Sequence, residues 1–294
     1  MSPKLELSDQ PPAQGTGAPD AIRQEQFLAA CELDVTALKP GNVRVGIRAR
    51  GMTADDFRRS AQACAPALSQ AGASVGQRVL EAIRSTQRVV HCNTNLGIVL
   101  LAAPLFRAAE AGGPLRSTLV HQLTELDRDD AKQVYEAIRL ARPGGLGTSD
   151  RYDVSSEPHV TLLEAMREAQ QRDSIARQYA QGYRDVFDLG LAQWGHALGR
   201  FEDELWAATH LYLVYLSTWP DSLIERKFGT PTAQAVSEQA REFHSQLSSY
   251  SNLDGIKERL LSWDEALRQA GLNPGTSADL TVATVFAAKL TAAV

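Results

Sequence analysis

A chain of 294 residues with 44% apolar side chains can bury a large core, which excludes a largely disordered protein. Its formal charge of −5, with lysine and arginine scattered rather than striped, excludes the electrostatic footprint of a nucleic-acid binder. The longest apolar run, Ile98 to Phe106, falls well short of the roughly 20 residues that span a bilayer, so no membrane partner is expected.

Residues 1–20 are rich in Pro, Gly, Gln and Ala and lack the basic start and apolar middle of a secretory signal. They read as a disordered tail ahead of one domain over residues 21–294, and a cytoplasmic location is expected. Cys31, Cys64 and Cys92 form no C-x-x-C pair and leave an odd count, which fits reduced thiols. Cys92, beside Asn93, reads either as a reactive thiol or as a small buried hydrophobe.

Helical spacing of apolar residues then recurs over residues 54–71, 75–90, 115–123, 130–141, 161–189, 201–219, 233–247, 255–270 and 277–290. Thr53-Ala54-Asp55-Asp56 supplies a cap and an acidic first turn, and Thr276 or Ser277 with Asp279 opens the last helix similarly. Residues 161–189 read as one long amphipathic helix or two. No segment alternates with period two. The predicted class is all-α, a single-domain multi-helix bundle with a buried central helix in which Ile98 to Phe106 is central and which Pro104 should kink or end.

Five polar or glycine-rich clusters punctuate these helices. Asp34 precedes Lys39-Pro40-Gly41-Asn42, a forced turn where lysine and asparagine meet a phosphate or simply end a helix in solvent. Asn93-Thr94-Asn95 precedes the buried helix, as a cap or as part of an anion pocket at the positive end of the helix dipole. His91 is the one histidine near a cluster and reads equally as a surface or core residue. Arg142-Pro143-Gly144-Gly145-Leu146-Gly147 can approach a ligand closely, but it lacks the lysine, hydroxyl residue and preceding strand of a P-loop. Asp150 and Asp153 follow it, two carboxylates beside a phosphate-friendly loop that are candidates for Mg²⁺. Asp221-Ser222-Leu223 leads into Glu225, Arg226 and Lys227; Asp221 and Glu225 share a helical face, and Asp221 is a cap or a functional carboxylate. Asn273-Pro274-Gly275 leads into Ser277 and Asp279. No zinc pattern and no serine nucleophile elbow is present.

Lys39-Pro40-Gly41, Asn93-Thr94, Asp221 and Asn273-Pro274-Gly275 with Ala278-Asp279-Leu280, in this order, resemble the triphosphoribosyl-dephospho-CoA synthase family from about Ile22 to the end of the chain. The resemblance implies an all-α transferase that uses ATP as a substrate. A ribose hydroxyl of 3′-dephospho-CoA displaces adenine, giving 2′-(5″-triphosphoribosyl)-3′-dephospho-CoA. For such a reaction Asp34, Asp150, Asp153 and Asp221 are the candidate catalytic carboxylates of this chain, with Asp150, Asp153 and Asp221 the candidates for holding Mg²⁺. Lys39, Gly41, Asn42, Asn93, Thr94, Asn95, Arg142, Gly144, Gly145, Ser277 and Asp279 would bind substrate and phosphates, all in one pocket. Founding members read Asn-Thr-His-Lys-Gly where this chain has Asn93-Thr94-Asn95-Leu96-Gly97, and Lys-Pro-Gly-Leu-Val-Asp where it has Lys39-Pro40-Gly41-Asn42-Val43-Arg44. The Asn-Thr-Asn-Leu-Gly form is similar to a branch in archaea and methylotrophs. That likeness keeps two alternatives in view: a paralogue acting on a phosphorylated precursor of a tetrahydromethanopterin or methylofuran-type one-carbon cofactor, or a non-catalytic nucleotide-binding protein. A homodimer is left open.

Overall fold

The computed structural model describes residues 17–47, 51–249 and 253–292. Its helices are α1 (Gly17–Thr36), α2 (Ala54–Leu68), α3 (Val75–Val89), α4 (Leu96–Ala111), α5 (Leu115–Thr124), α6 (Arg128–Ala141), α7 (Leu162–Ala169), α8 (Ser174–Ala180), α9 (Leu191–Phe201), α10 (Glu204–Thr218), α11 (Ser222–Phe228), α12 (Thr230–Ser249), α13 (Leu253–Gln269) and α14 (Gly275–Ala292). A π-helical turn, Asp185–Gly190, lies between α8 and α9. No strand occurs among the described residues; the nearest thing is an isolated bridge between Arg44 and Ile47. The all-α reading is therefore correct. Of the expected tail, residues 1–16 lie outside the described residues, and residues 17–20 form the start of α1.

Local chemistry explains many of the starts. Thr53 accepts from the Asp56 backbone while Asp56 accepts from Thr53, a capping box that opens α2. The same reciprocal device opens α3 at Ser74 and Gln77, α6 at Asp127 and Asp130, and α7 at Thr161 and Glu164. Asp173, Asp203 and Asp221 cap α8, α10 and α11.

Three helices are apolar nearly all round and form the interior. Every residue from Ala207 to Ser217 in α10 is buried, and most of α4 and α14 is too. Phe27, Phe106 and Phe286 lock α1, α4 and α14 together, with ring centroids 4.7–5.6 Å apart. The far side of α10 carries a second cluster, in which Tyr212, Leu213 and Leu216 pack with Ile224, Val236, Leu260 and Trp263 of α11, α12 and α13. Among the described residues no single helix is long and apolar enough to cross a membrane.

Two expectations about elements need correction. Pro104 does not end its helix, because α4 continues to Ala111. Proline removes the N–H that would reach the Leu100 carbonyl, and the Tyr179 hydroxyl donates to that carbonyl instead, at 2.6 Å. Residues 161–189 are three pieces rather than one or two. Asp173 starts a new helix there, and Gly182 and Tyr183, both at positive φ, end it.

Candidate active site

The loops and helix ends enclose a cavity of about 390 Å³. Part of its wall is apolar, with Leu100, Val134, Ile138, Leu162, Met166 and Ile175 among its residues. The remainder gathers polar groups from four of the five sequence clusters: Asp34 and Asn42, Asn93 to Gly97, Gly144 with Asp153, and Asn273 with Asp279.

Two of those clusters dock on each other. Gly41 turns at φ +82, and a Cβ there would lie 2.8 Å from the Leu272 carbonyl oxygen and 2.9 Å from Pro274 Cδ. Only glycine lets the two turns approach this closely. The Gly41 N–H donates to Asp264 at 2.8 Å, the Pro40 carbonyl accepts from the Tyr212 hydroxyl at 2.6 Å, and Asn42 donates to Asn273 at 3.0 Å. Lys39 is 1% exposed and ion-paired to Asp34, so Asp34 lines the cavity and Lys39 supports it from behind.

The start of α4 is built the same way. Asn93 accepts from the Leu96 N–H at 3.2 Å from two positions ahead of the N-cap residue Asn95, whose own side chain makes no capping bond. Thr94 bonds Ser60 of α2 at 2.6 Å, and Asn95 donates to Thr86 of α3 at 3.1 Å. Those two residues anchor the helix end to its neighbours, which answers why three polar residues stand where a cap needs one. A Cβ on Gly97 would collide with the Asp279 carboxylate, so Asp279 rests on the first turn of α4. Asp279 accepts no hydrogen bond among the described residues. Burial pushes its carboxyl well above the usual carboxylate range, and the nearby charges of Asp34 and Asp221 push it further.

Several predicted residues stand elsewhere. Asp221 is 2% exposed and is not on the cavity wall. Its carboxylate accepts from the N–H groups of Leu223 (3.0 Å) and Ile224 (3.2 Å), and from the N–H and hydroxyl of Ser277 (both 2.8 Å). Asp221 and Ser277 thus tie α11 to α14. Burial raises the Asp221 carboxyl, while these bonds oppose the shift. Arg142 and Asp150 are exposed and do not line the cavity, because Arg142 ends α6 in a left-handed turn and carries its side chain outward with the loop. Gly41 and Gly145 act through packing rather than on the wall. Gly145 lies under Lys227, whose Cγ would be 2.8 Å from an added Cβ.

The expected Mg²⁺ trio does not fit. Asp150 is exposed and off the cavity wall, Asp221 already accepts four hydrogen bonds, and Asp153 accepts from the Ser149 N–H (2.6 Å) and from the Ser155 N–H (2.8 Å) and hydroxyl (2.5 Å). Among the described residues no three His, Cys, Asp or Glu side chains converge in metal-binding geometry.

Other cavity residues were missed or undervalued. Arg151, Arg172 and Asp173 fall inside the segment read as loop and continuous helix, where their charges pass for a solvated face. Arg226 and Lys227, noted only as followers of Asp221, also line the cavity. Their position in the last turn of a helix is already explained by the helix dipole, which hides them.

The family described as ATP:dephospho-CoA triphosphoribosyl transferase matches residues 22–294. Among solved structures, a protein of Archaeoglobus fulgidus provisionally named triphosphoribosyl-dephospho-CoA synthase superposes with a TM-score of 0.60 at 28% identity, covering 78% of this chain and 96% of its own. No curated protein matches the chain by sequence. These matches favour neither the one-carbon paralogue nor the non-catalytic reading. With nearly its whole length matched, the chain belongs to the ATP:dephospho-CoA triphosphoribosyl transferase family, and it is an enzyme of the triphosphoribosyl-dephospho-CoA synthase type.

Proposed function

We propose that this cavity moves the triphosphoribosyl part of ATP onto a ribose hydroxyl of 3′-dephospho-CoA, with adenine leaving. The observation that carries the assignment of roles is the pair of cavity carboxylates in different surroundings: Asp34 beside Lys39, and Asp279 without a partner on the first turn of α4. Breaking the C1′–N9 bond builds positive charge on the ribose and negative charge on adenine. Asp279, raised by burial and by its acidic neighbours, keeps a proton at higher pH than an ordinary carboxyl and can pass it to the departing base. Asp34, with its countercharge supplied by Lys39, stabilises the ribose cation. It can also take the proton that the attacking hydroxyl loses, since the remaining wall carboxylates are committed, Asp153 to Ser149 and Ser155 and Asp173 to the start of α8 and Arg226. That proton balances the one given to adenine. The apolar wall formed by Leu100, Ile138, Leu162 and Met166 offers a dry surface for the base.

The test is chromatographic. The purified chain with ATP and 3′-dephospho-CoA should release adenine in step with triphosphoribosyl product, and Asp279→Asn should slow release by about 100-fold or more while leaving the protein folded. A wild-type chain that yields no adenine, or an Asp279→Asn variant as fast as wild type, would count against these roles.

A further inference from the structure

A triphosphate brings several negative charges into the cavity, and the residues around the reacting carbon cannot receive them. Asp34 and Asp279 already place two carboxyl groups there, and the adjacent cation, Lys39, is buried and bound to Asp34. The N–H end of α4 is covered by Asp279, which removes the usual anion site at a helix start. The phosphates must therefore lie elsewhere in the same cavity.

Another network in the lining supplies what is missing. Arg226 uses one Nη to pair with Asp173, and its Nε is buried with no hydrogen-bond partner among the described residues. Asp173 is committed as well, since its other oxygen caps α8 through the N–H groups of Ile175 (2.9 Å) and Ala176 (3.0 Å). Arg172 is held by neutral groups, the Glu168 carbonyl at 3.3 Å and the Ser149 hydroxyl at 2.9 Å, so its charge stays available. Lys227 runs along the glycine loop. A Cβ on Gly144 would lie 2.8 Å from its Cε and 2.9 Å from its Nζ, so the two glycines make room for the lysine to enter.

We propose that Arg172, Arg226 and Lys227 grip the triphosphate of the nucleotide, with the Gly144-Gly145 loop packed over Lys227 to set its direction. This rests on the triphosphoribosyl-transfer reading and adds a direction to it. The phosphates lie toward α11 and the start of α8, while C1′ lies toward Asp34 and Asp279. It also reassigns the phosphate contacts from Lys39 and Arg142, neither of which lines the cavity. A planar guanidinium holds phosphate oxygens in pairs and lysine adds a point charge, a combination suited to a flexible polyanion.

The probe is inorganic tripolyphosphate, followed by thermal melting of the full chain, with adenosine as the uncharged control. Wild type should be stabilised by both. Lys227→Gln and Arg172→Gln should each weaken tripolyphosphate binding by about tenfold while leaving adenosine binding and the unliganded melting temperature nearly unchanged. Because Arg226 also pairs with Asp173, Arg226→Lys is the variant for that position; it keeps the charge, loses the fork, and should weaken tripolyphosphate binding without unfolding the chain. In turnover, KM for ATP should rise more than kcat falls. Tripolyphosphate affinity unchanged in the Lys227→Gln, Arg172→Gln double variant, or no stabilisation of wild type, overturns the proposal. If tripolyphosphate responds as expected and adenine is never released, the phosphate site stands and the transfer reading fails.

Discussion

Asp221, buried, and Asp279, half-buried on the cavity wall, both stand near a motif, and sequence alone ranks Asp221 higher. Their partners reverse that order. Asp221 satisfies four donors from α11 and Ser277, whereas Asp279 meets none and faces the cavity. Asp221→Asn would turn an amide NH2 toward N–H or O–H donors, so it should cost about 1–3 kcal/mol, read as a lower denaturation midpoint. Unchanged stability would contradict its role as a tie. Gly97→Ala drives a methyl into the Asp279 carboxylate, and it should abolish adenine release while the helix content stays near wild type. Asp279 also sets the pH dependence of turnover. Its carboxyl is raised, so the proton it donates is present at low pH and lost as pH rises through its folded value. Adenine release should fall along that alkaline limb, and Asp279→Asn should remove the limb along with most of the rate.

At the scale of elements, α4 shows how a rule of local structure is met by a distant side chain. Pro104 inside a buried helix would leave the Leu100 carbonyl unpaired, and the Tyr179 hydroxyl supplies the missing donor, while Tyr183 donates to Leu101 at 3.0 Å. Tyr179→Phe should cost about 1–3 kcal/mol for that reason. In a Pro104→Ala background the restored N–H can pair with Leu100, so the same change should cost clearly less. Strict additivity in this double-mutant cycle would refute the compensation. The periodic segments at 54–71, 75–90, 130–141, 233–247, 255–270 and 277–290 all correspond to helices, because apolar residues recur at helical spacing in each. The stretch 161–189 kept its helical rhythm across two breaks, since Gln170 to Asp173 look like a polar face and the positive φ of Tyr183 leaves no mark in composition.

Across the whole molecule, the junction of α9, α10 and α12 carries a stability limit separate from the active site. His210 is buried among His244, His196 and Phe201, with ring centroids 4.9, 6.2 and 5.9 Å away. Its Nδ1 and the His244 Nε2 have no partner among the described residues. Burial, then the two neighbouring histidines and Arg200, lowers His210 from the ordinary 6.5 to about 4, and burial also lowers His244. The unfolded chain therefore takes up protons first, so stability is full above about 6.5 and is lost as pH falls toward 4. The His210 contribution to that loss is about 3 kcal/mol. His210→Gln, which cannot titrate, should flatten the acid side of a stability–pH curve measured with urea; an unchanged slope would rule this origin out.

Helix identity, the cap at Thr53, the absence of strands among the described residues and the family were legible in the sequence, because each depends on near neighbours or on motifs whose order survives without coordinates. The sequence also named part of the polar wall: Asp34, Asn42, Asn93 to Asn95, Gly144, Asp153 and Asp279 all line the cavity. Only the tertiary structure decided which charges are spent and which remain available. Lys39 is consumed by Asp34, Asp221 by Ser277 and two backbone groups, and Asp153 by its own turn, while Arg172 meets only neutral groups and Arg226 keeps a buried Nε without a partner among the described residues. A charge buried in low dielectric must find a partner, and that partner usually lies far along the chain, so the availability of a charged side chain is a property of the packed molecule.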